Sequence, residues 1–366
     1  MPDLSFSRRD FTRILGVGAA LAAAPPILRA AAAPAPTVLL NSNENPYGPS
    51  PAAMRAMRDA IGRVSRYPDG EEEALAEDIA HMHGVAGDQV LLGIGSSDIL
   101  RLAASAYLGP GRTAVVAEPT FEIIALHGAR FGATIKRVPL TASHAHDLEA
   151  MSAGDLVYIC NPNNPTGTIT PKAQMRALLE RVPRSTVVLV DEAYHHYATS
   201  SDYESVIPLV SRYPNLMVAR TFSKIYALAG ARCGYAVAQK ALIDTLQSQQ
   251  QFNVSNLIAA VAARASLRDE QFVKEGRDRN SSTKGWLAQE LRRMGMHQLP
   301  SETNFVMIDV GTDVKPLIMA MREKNVRVGR KFAALPNHMR VTIGTPEEMK
   351  RFVVALRETM GRPSGS

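Results

Sequence analysis

Short, continuous runs of Val, Ile and Leu alternate with helical stretches over residues 89–238, and this pattern constrains the fold most. The runs are QVLLGIG, RTAVVAEP, ATIKRVPL, DLVYICNP, STVVLVDEA, LMVARTFS and RCGYAVA. Apolar runs without polar alternation are typical of strands that are buried on both faces. Because helices are interleaved with them, we predict a mainly parallel sheet in an α/β domain.

The pattern changes after about residue 265. A helix is predicted at roughly 267–294, followed by the strands NFVMIDV and MRVTIGT and by a last helix at 346–360. These elements predict a smaller α+β domain, and 366 residues suit two domains. The predicted segments are a signal peptide at 1–33, an N-terminal arm with part of the small domain at 34–65, a large domain at 66–265 and a small C-terminal domain at 266–362.

The first 33 residues have the composition of an export signal. Arg8 and Arg9 are adjacent, Phe11 follows, and a Gly/Ala-rich apolar stretch runs from Ile14 to Ala24. This order is typical of a twin-arginine signal. The apolar stretch is shorter than the roughly 20 residues that span a bilayer. We therefore expect cleavage near Ala31–Ala33 and a periplasmic or otherwise exported, soluble mature chain without a stable membrane anchor.

Composition excludes several other classes of protein. The net charge of +6 is not concentrated in a Lys/Arg block, so nucleic-acid binding is not expected. Cys160 and Cys233 cannot form a disulfide framework and are predicted to be buried. The histidines of HMH (81–83), HAH (144–146) and HH (195–196) lack a fitting acid or cysteine partner, so they are interpreted as surface residues and no metal site is predicted.

Two adjacent acids end one of the predicted strands. Asp191 and Glu192 follow an apolar run, and Tyr194 comes two residues later. Ionised carboxylates are rarely buried without a partner. Either the strand ends at the surface, or one of these carboxylates pairs with a cation.

Three further strand ends carry polar residues, at the edge where open α/β sheets bind their ligands. GIGSSDIL (93–100) is a Gly-rich turn into a helix, which suits either a bound anion or a plain serine cap. CNPNNPTG (160–167) is a tight turn that can point an Asn amide into the crevice. Lys224 lies between Phe222 and Ile225, where burial would lower its pKa and favour a nucleophilic amine over a solvated one.

Together these groups match the needs of pyridoxal phosphate. Its aldehyde needs a lysine, and its pyridine nitrogen needs a buried carboxylate that keeps it protonated. Its ring oxygen takes hydrogen bonds from Asn and Tyr, and its phosphate takes a helix N-terminus, hydroxyls and an Arg. Asp191 is therefore predicted to be the counter-ion of the pyridinium, and Glu192 to point away and serve structure.

Nine stretches between residue 41 and about residue 350 resemble one enzyme family. They are NSNENPYGPS, RYPDG, GIGSSD, PTF, NPNNPTG, VDEAY, TFSKIYALAGARCGY, TNFVMI and MRVTIGTPEEM. This set resembles the fold-type I pyridoxal-phosphate-dependent aminotransferases of class I/II, most closely the histidinol-phosphate aminotransferase subfamily. The resemblance implies ping-pong transfer of an amino group between an amino acid or amine and a 2-oxo acid, by a homodimer with shared active sites.

The resemblance also implies roles for individual residues. Lys224 looks like the Schiff-base lysine and proton shuttle, Asp191 like the pyridinium partner, and Asn164 and Tyr194 like ligands of the ring oxygen. The residues that resemble phosphate contacts are Ser96, Ser97, Thr221, Ser223 and Arg232. The remaining matches are Phe121, which would stack on the ring; Tyr67, which would reach the neighbouring subunit's phosphate; Arg340 and Arg330, which would bind the substrate's anionic group; and Asn43 and Tyr47, which would close over the substrate.

Two alternatives share parts of this chemistry. A racemase, lyase or decarboxylase would use the same lysine and the same cofactor, and a non-catalytic binding protein would not need the intact pair of Lys224 and Asp191. The stretch VRVGRKFAALPNH before Arg340 departs from the pattern associated with the histidine-pathway enzymes. With the predicted export, this departure favours an amino acid or amine substrate outside the inner membrane.

Overall fold

The computed structural model describes residues 36–251 and 255–361, so the predicted signal peptide lies outside the described residues. The strands are β1 (Val38–Leu40), β2 (Val90–Gly93), β3 (Thr113–Glu118), β4 (Thr134–Pro139), β5 (Leu156–Cys160), β6 (Val187–Asp191), β7 (Leu216–Thr221), β8 (Gly234–Ala238), β9 (His297–Gln298), β10 (Phe305–Asp309), β11 (Val326–Val328) and β12 (His338–Thr342). The α-helices are α1 (Pro51–Ala60), α2 (Asp69–His83), α3 (Ser96–Tyr107), α4 (Ile123–Arg130), α5 (Lys172–Arg181), α6 (Lys240–Gln247), α7 (Leu257–Leu267), α8 (Glu270–Arg293), α9 (Val314–Glu323) and α10 (Pro346–Thr359).

The seven predicted apolar runs form one sheet in the order β2-β8-β7-β6-β5-β3-β4. Neighbouring strands from β7 to β4 are parallel, and β8 runs antiparallel to both β7 and β2. Helices cover both faces of this sheet, with α3, α4 and α6 on one side and α2, α5 and α7 on the other. The predicted fold-type I α/β architecture is confirmed.

The prediction that all seven strands are buried on both faces is wrong for β4. Four of its six residues, Thr134, Lys136, Arg137 and Pro139, are exposed, and only Val138 is fully buried. The reason is its place at the edge of the sheet, where only β3 pairs with it. Charged side chains on an edge strand also discourage pairing with other chains.

A second, smaller layer is built from the C-terminal part of the chain and β1. Strands β9, β10 and β12 form an antiparallel sheet, and β1 pairs in parallel with β11. Helices α8, α9 and α10 pack against them around a separate apolar core. The pairing of β1 attaches the start of the described chain to this layer, while α1 packs against α7 beside the large sheet. The exact domain boundaries stay a prediction.

The burial of the cysteines agrees with the expectation, and that of one histidine does not. Cys160 and Cys233 are buried, as predicted. His146 is also buried, so its interpretation as a surface histidine is wrong; its Nδ1 lies 2.8 Å from the hydroxyl of Thr170. Within the described residues, no helix has the length and hydropathy needed to cross a bilayer.

Candidate active site

A cavity of about 300 Å³ opens at the carboxyl ends of β5, β6 and β7. Twelve of the predicted site residues line it, namely Asn43, Ser96, Ser97, Phe121, Asn164, Asp191, Tyr194, Thr221, Ser223, Lys224, Arg232 and Arg340. They come from the arm, the start of α3, the carboxyl ends of four neighbouring strands (β3, β5, β6 and β7) and the loops that follow them, and β12. The parallel strands bring their ends together at one edge, which is why residues far apart in the chain meet there.

Asp191 is the most buried charge in the cavity. It is 2% exposed; its Oδ1 accepts a hydrogen bond from the Ala193 N–H at 3.1 Å, and its Oδ2 accepts one from the Tyr158 hydroxyl at 3.1 Å. Among the described residues, no basic side chain forms an ion pair with it. Burial raises its pKa from the ordinary value of 3.8 to about 6, against the opposing effect of the two hydrogen bonds. This carboxylate therefore needs a cation, and the protonated pyridine nitrogen of pyridoxal phosphate fits that need.

Glu192 is buried on the other side of the strand end. It is 1% exposed, and its Oε2 accepts hydrogen bonds from Nε and Nη2 of Arg220 at 3.0 and 2.7 Å. Its Oε1 accepts the Val206 N–H at 2.7 Å, and the Ser205 hydroxyl also donates to Oε2. Glu192 points away from the cavity and ties two chain segments together.

Lys224 lies in the loop after β7 and contacts the arm. Its Nζ donates hydrogen bonds to the backbone oxygens of Asn43 at 3.0 Å and Ser42 at 3.3 Å. Burial, with a smaller contribution from the charge of Arg340, lowers the pKa of the ammonium from 10.5 to about 8. An amine with such a pKa is partly neutral near physiological pH and can act as a nucleophile.

The start of α3 forms the end of the cavity that is suited to bind an anion. The helix begins at Ser96 and has Gly95 as its N-cap residue, without a side-chain cap. The expectation that Ser96 or Ser97 caps the helix is therefore wrong, and both serines line the cavity instead. Gly95 has φ +79°, and a Cβ at this position would lie 2.4 Å from Nη2 of Arg232. The backbone thus approaches the guanidinium closely, and helix N-terminus, serines and Arg232 together suit a phosphate group.

A second arginine reaches the opposite part of the cavity. Nη1 of Arg340 donates to Oδ1 of Asn164 at 2.7 Å, and its Nη2 donates to the backbone oxygen of Asn41 at 2.8 Å. Its buried Nε has no hydrogen-bond partner among the described residues. A buried guanidinium with a spare donor is suited to bind an anionic group.

Tyr194 and Asn43 form a buried pair beside Arg340. Nδ2 of Asn43 donates to the Tyr194 hydroxyl at 2.9 Å, and burial raises the pKa of this phenol. Asn43 is itself anchored, because its backbone N–H donates to the Thr342 hydroxyl at 2.9 Å. The arm is thereby fixed against both β12 and the loop after β6.

Three predicted site residues do not line the cavity of this chain. Arg330 forms an ion pair with Glu122 at 2.5 Å on the surface. The ring of Tyr47 packs under the guanidinium of Arg279, at 5.2 Å from its centroid. Tyr67 is 77% exposed. The roles that the resemblance implies for them stay predictions.

Five lining residues were not among the predicted site residues: Ser42, Glu44, Cys160, Ala193 and Ala229. Ser42 and Glu44 flank Asn43 in the motif NSNENPYGPS, so the quoted motif contained them. Cys160 was interpreted only as a small buried residue. Its position at the end of an apolar run, directly before NPNNPTG, was a usable signal.

The histidines show no metal-binding arrangement in the part of the chain that the structure describes, where no group of three His, Cys, Asp or Glu side chains could hold an ion. His83, His195 and His196 instead lie 2.9–3.2 Å from the hydroxyls of Tyr235, Tyr203 and Tyr226. These three are half-buried, so the interpretation of exposed surface histidines does not describe them.

The fold and the cavity together define a fold-type I enzyme for pyridoxal phosphate, with a buried carboxylate, a lysine of lowered pKa and a phosphate cradle in one site. Residues 35–356 match the family model of aminotransferase class I and II. The chain belongs to this family and is a pyridoxal-phosphate-dependent aminotransferase.

Individual relatives support this assignment. The chain is 42% identical over 337 residues to histidinol-phosphate aminotransferase 2 of Pseudomonas fluorescens, with 90% of each chain covered. It is 41% identical over 330 residues to histidinol-phosphate aminotransferase of Symbiobacterium thermophilum, with 88% of this chain and 91% of the relative covered. The crystal structure of histidinol-phosphate aminotransferase from Sinorhizobium meliloti in complex with pyridoxal-5'-phosphate superposes with a TM-score of 0.83 at 28% identity, covering 89% of this chain and 91% of that one.

Proposed function

We propose that this aminotransferase takes its amino group from a donor that carries one anionic group, and passes it to a 2-oxo acid in a ping-pong cycle. The observation that carries this proposal is Arg340, whose buried Nε has no hydrogen-bond partner among the described residues and whose guanidinium lines the same cavity as Lys224. The relatives named histidinol-phosphate aminotransferases support a donor of this kind.

When bound, pyridoxal phosphate supplies an aldehyde that captures amines and a ring that accepts electrons. Asp191 would hold the proton on the ring nitrogen, because a buried carboxylate without an ion-pair partner is stabilised by that charge. Asn164 and Tyr194 would contact the ring oxygen, and Phe121 would contact the ring face. The residues that would hold the phosphate are Ser96, Ser97, Thr221, Ser223 and Arg232.

Lys224 has two tasks in this proposal. Its Nζ is the amine that would bind the aldehyde covalently in the resting enzyme, and it would carry a proton to and from the donor's Cα during turnover. A pKa of about 8 suits both tasks, since each needs the neutral amine. Arg340 would orient the donor by its anionic group.

Lys224→Ala tests the central assignment, and Lys284→Ala is a matched control. Nζ of Lys284 also donates to two backbone oxygens, of Ser301 and Thr303, but outside the cavity. We expect Lys224→Ala to lower kcat by about 10³-fold or more, and to remove the cofactor from the peptide containing residue 224 after borohydride reduction. Recovery of the reduced cofactor on another lysine would contradict the assignment.

A donor screen tests the substrate class. Histidinol phosphate and a set of amino acids are offered with 2-oxoglutarate, to wild type, Arg340→Gln and the surface control Arg327→Gln. Arg340→Gln should raise KM for every accepted donor by at least about tenfold, because a charge-assisted pair is lost. Unchanged KM values in Arg340→Gln would contradict the binding role.

The alternative chemistries of the same cofactor are tested by the acceptor. A transaminase left without 2-oxo acid stops after one half-reaction, with the amino group on the cofactor, and addition of 2-oxo acid restores the aldehyde spectrum. Continued turnover without any 2-oxo acid would instead indicate a racemase, lyase or decarboxylase.

We further propose that Arg8 and Arg9 direct the folded, cofactor-loaded protein across the inner membrane. Its supporting observation is the order of the paired arginines, the apolar stretch and the small-residue segment. Lysine at both positions should leave active enzyme in the cytoplasm. Wild-type protein that fractionates with the cytoplasm and keeps residues 1–33 would contradict export.

We also propose a homodimer in which Tyr67 completes the partner's site. Tyr67 is strongly exposed, and Ile61 and Val64 close to it in the chain are exposed as well, which favours an apolar contact. Mixing Tyr67→Phe and Lys224→Ala homodimers gives a hybrid with one intact site and one doubly altered site. Activity above that of either parent supports sharing; no gain after proven subunit exchange contradicts it.

A further inference from the structure

Behind the cavity, the hydroxyl of Tyr158 meets the carboxylate of Asp191. Tyr158 is 0% exposed, does not line the cavity and donates to Oδ2 of Asp191 at 3.1 Å. We propose that Tyr158 is a positioning residue that orients Asp191 and keeps it ionised for the cofactor. This inference rests on the proposed role of Asp191.

The strand register explains how the two side chains meet. In the parallel pair of β5 and β6, Cys160 lies opposite Asp191 and Tyr158 lies opposite Leu189. Side chains two residues apart share a face of the sheet, so Tyr158, Cys160 and Asp191 all lie on the same face. The Tyr158 ring starts one step below the strand end, and its length brings the hydroxyl level with the carboxylate.

The Tyr158 ring is surrounded mainly by apolar side chains, which offer its hydroxyl few hydrogen-bond acceptors. Tyr158 packs in an apolar cluster with Leu189, Met217 and Ala219 on the neighbouring strands. Burial of an unpaired hydroxyl or an unpaired carboxylate costs free energy. Each group therefore satisfies the other, and the hydrogen bond restricts the directions that the carboxylate can take.

The hydrogen bond also favours the ionised form of Asp191. Each carboxylate oxygen accepts one donor, the Ala193 N–H on Oδ1 and the Tyr158 O–H on Oδ2. Without the Tyr158 donor, burial would raise the pKa of Asp191 further, since hydrogen bonds to a carboxylate stabilise its charge. The other titratable groups that interact electrostatically with Asp191 are Cys160, Lys224, Tyr194 and Tyr203, together with Glu192 from the other side of the strand end.

Tyr158→Phe removes the donor and keeps the ring, and Tyr213→Phe is a matched control. Tyr213 is 2% exposed, and its hydroxyl contacts Glu180 away from the cavity, at 3.4 Å. We expect Tyr158→Phe to weaken cofactor binding and lower kcat by roughly tenfold or more, the effect of losing a hydrogen bond to a charged group. KM should change little, and the pH below which cofactor affinity falls should move upward.

A double-mutant cycle separates positioning from packing. If Tyr158 acts through Asp191, its replacement in the Asp191→Asn background should add less than about a twofold further loss, because the effects of coupled residues are not additive. A full additional loss in that background would show that Tyr158 acts independently, and would overturn the proposal. Wild-type cofactor affinity and kcat in Tyr158→Phe, beside a strongly impaired Asp191→Asn, would overturn it while leaving the role of Asp191 intact.

One outcome would overturn more than this inference. Wild-type behaviour of Asp191→Asn itself would overturn both the role of Asp191 and this inference. If Tyr158→Phe does not accumulate as folded protein, Tyr158→Met serves in the same cycle, since methionine fills irregular apolar space and also lacks the donor. Tyr213→Phe should match wild type in cofactor affinity and kcat; a loss equal to that of Tyr158→Phe would indicate a general effect of hydroxyl removal and overturn the specific role.

Discussion

Asp191 and Glu192 are adjacent acids at the end of one strand, but the protein surrounds them with different sets of hydrogen-bond and ion-pair partners. On the side of Glu192, the protein supplies a complete set of partners: two nitrogens of Arg220, a serine hydroxyl and a backbone N–H. On the side of Asp191, it supplies two hydrogen bonds and an open cavity, but no ion-pair partner among the described residues.

The difference shows how a binding site can be recognised from the protein's own side chains. A buried charge whose partners are all present contributes to the fold. A buried charge that lacks its counter-ion destabilises the folded protein by itself, and such groups concentrate at functional sites. The raised pKa of Asp191, at about 6, reflects this missing counter-ion.

The largest expected loss of stability follows from replacing Glu192, the acid whose partners are all present. Glu192→Gln leaves the Arg220 guanidinium buried without its counter-charge, so the free energy of unfolding should fall by about 3–5 kcal/mol. Urea unfolding of the apoprotein measures this. Glu180→Gln is the control, because its pair with Arg212 is exposed and worth roughly 1 kcal/mol at most. Equal losses for the two variants would remove the contrast between the buried pair and an ordinary surface pair.

Asp191→Asn should have two effects of opposite sign. In the holoenzyme it should raise the reaction barrier by ~3 kcal/mol, because a neutral amide cannot hold the ring nitrogen protonated. In the apoprotein near neutral pH it should increase the free energy of unfolding by about 2 kcal/mol, since an uncompensated buried charge is removed. A kcat within about tenfold of wild type, or a less stable apoprotein, would contradict the proposed state of Asp191.

The pH dependence of that stability difference sharpens the test. Because folding raises the pKa of Asp191 from 3.8 to about 6, the folded state binds the proton more tightly than the unfolded state. Its contribution to stability is present at low pH and is lost as pH rises through about 6. The advantage of Asp191→Asn should therefore grow between about pH 4 and pH 6 and be constant above that range.

His146 provides a pH dependence of stability with the opposite slope. Burial lowers its pKa from 6.5 to about 4, so the folded state resists protonation. Its contribution is present above about pH 6.5 and is lost as pH falls towards 4, at about 1.4 kcal/mol per pH unit at most. His146→Gln should flatten this part of the apoprotein's stability profile. An unchanged slope would show that other groups cause the acid sensitivity.

The sequence predicted where the strands end and which side chains meet there. Parallel strands place their carboxyl ends at one edge of the sheet, whatever their exact packing. That rule was sufficient for Asp191, Lys224 and Asn164, and even for the opposite orientations of Asp191 and Glu192. It could not identify Arg220 as the partner of Glu192. That pair depends on the register of β6 against β7, which no local pattern encodes.

Other long-range pairings are equally absent from local patterns. Arg330 pairs with Glu122, 208 positions away in the chain, and its role in substrate binding stays a prediction. Tyr158 was taken for an ordinary strand residue, since the apolar run around it gives no sign that its hydroxyl meets a carboxylate on the next strand. β4 looked like the other strands because hydropathy alone does not tell an edge from a centre.

The close approach at Gly95 limits how this enzyme can drift in sequence. Gly84 also has a positive φ, +64°, but has open space around its missing side chain, so asparagine could replace it at a modest cost. At Gly95 any side chain would meet both the strained backbone and the Arg232 guanidinium. Gly234 is constrained from the other side, because a Cβ there would lie 2.4 Å from the backbone nitrogen of Ser96. Substitutions are therefore tolerated less well at these two glycines than at Gly84, and the entry to α3 should vary little in sequence.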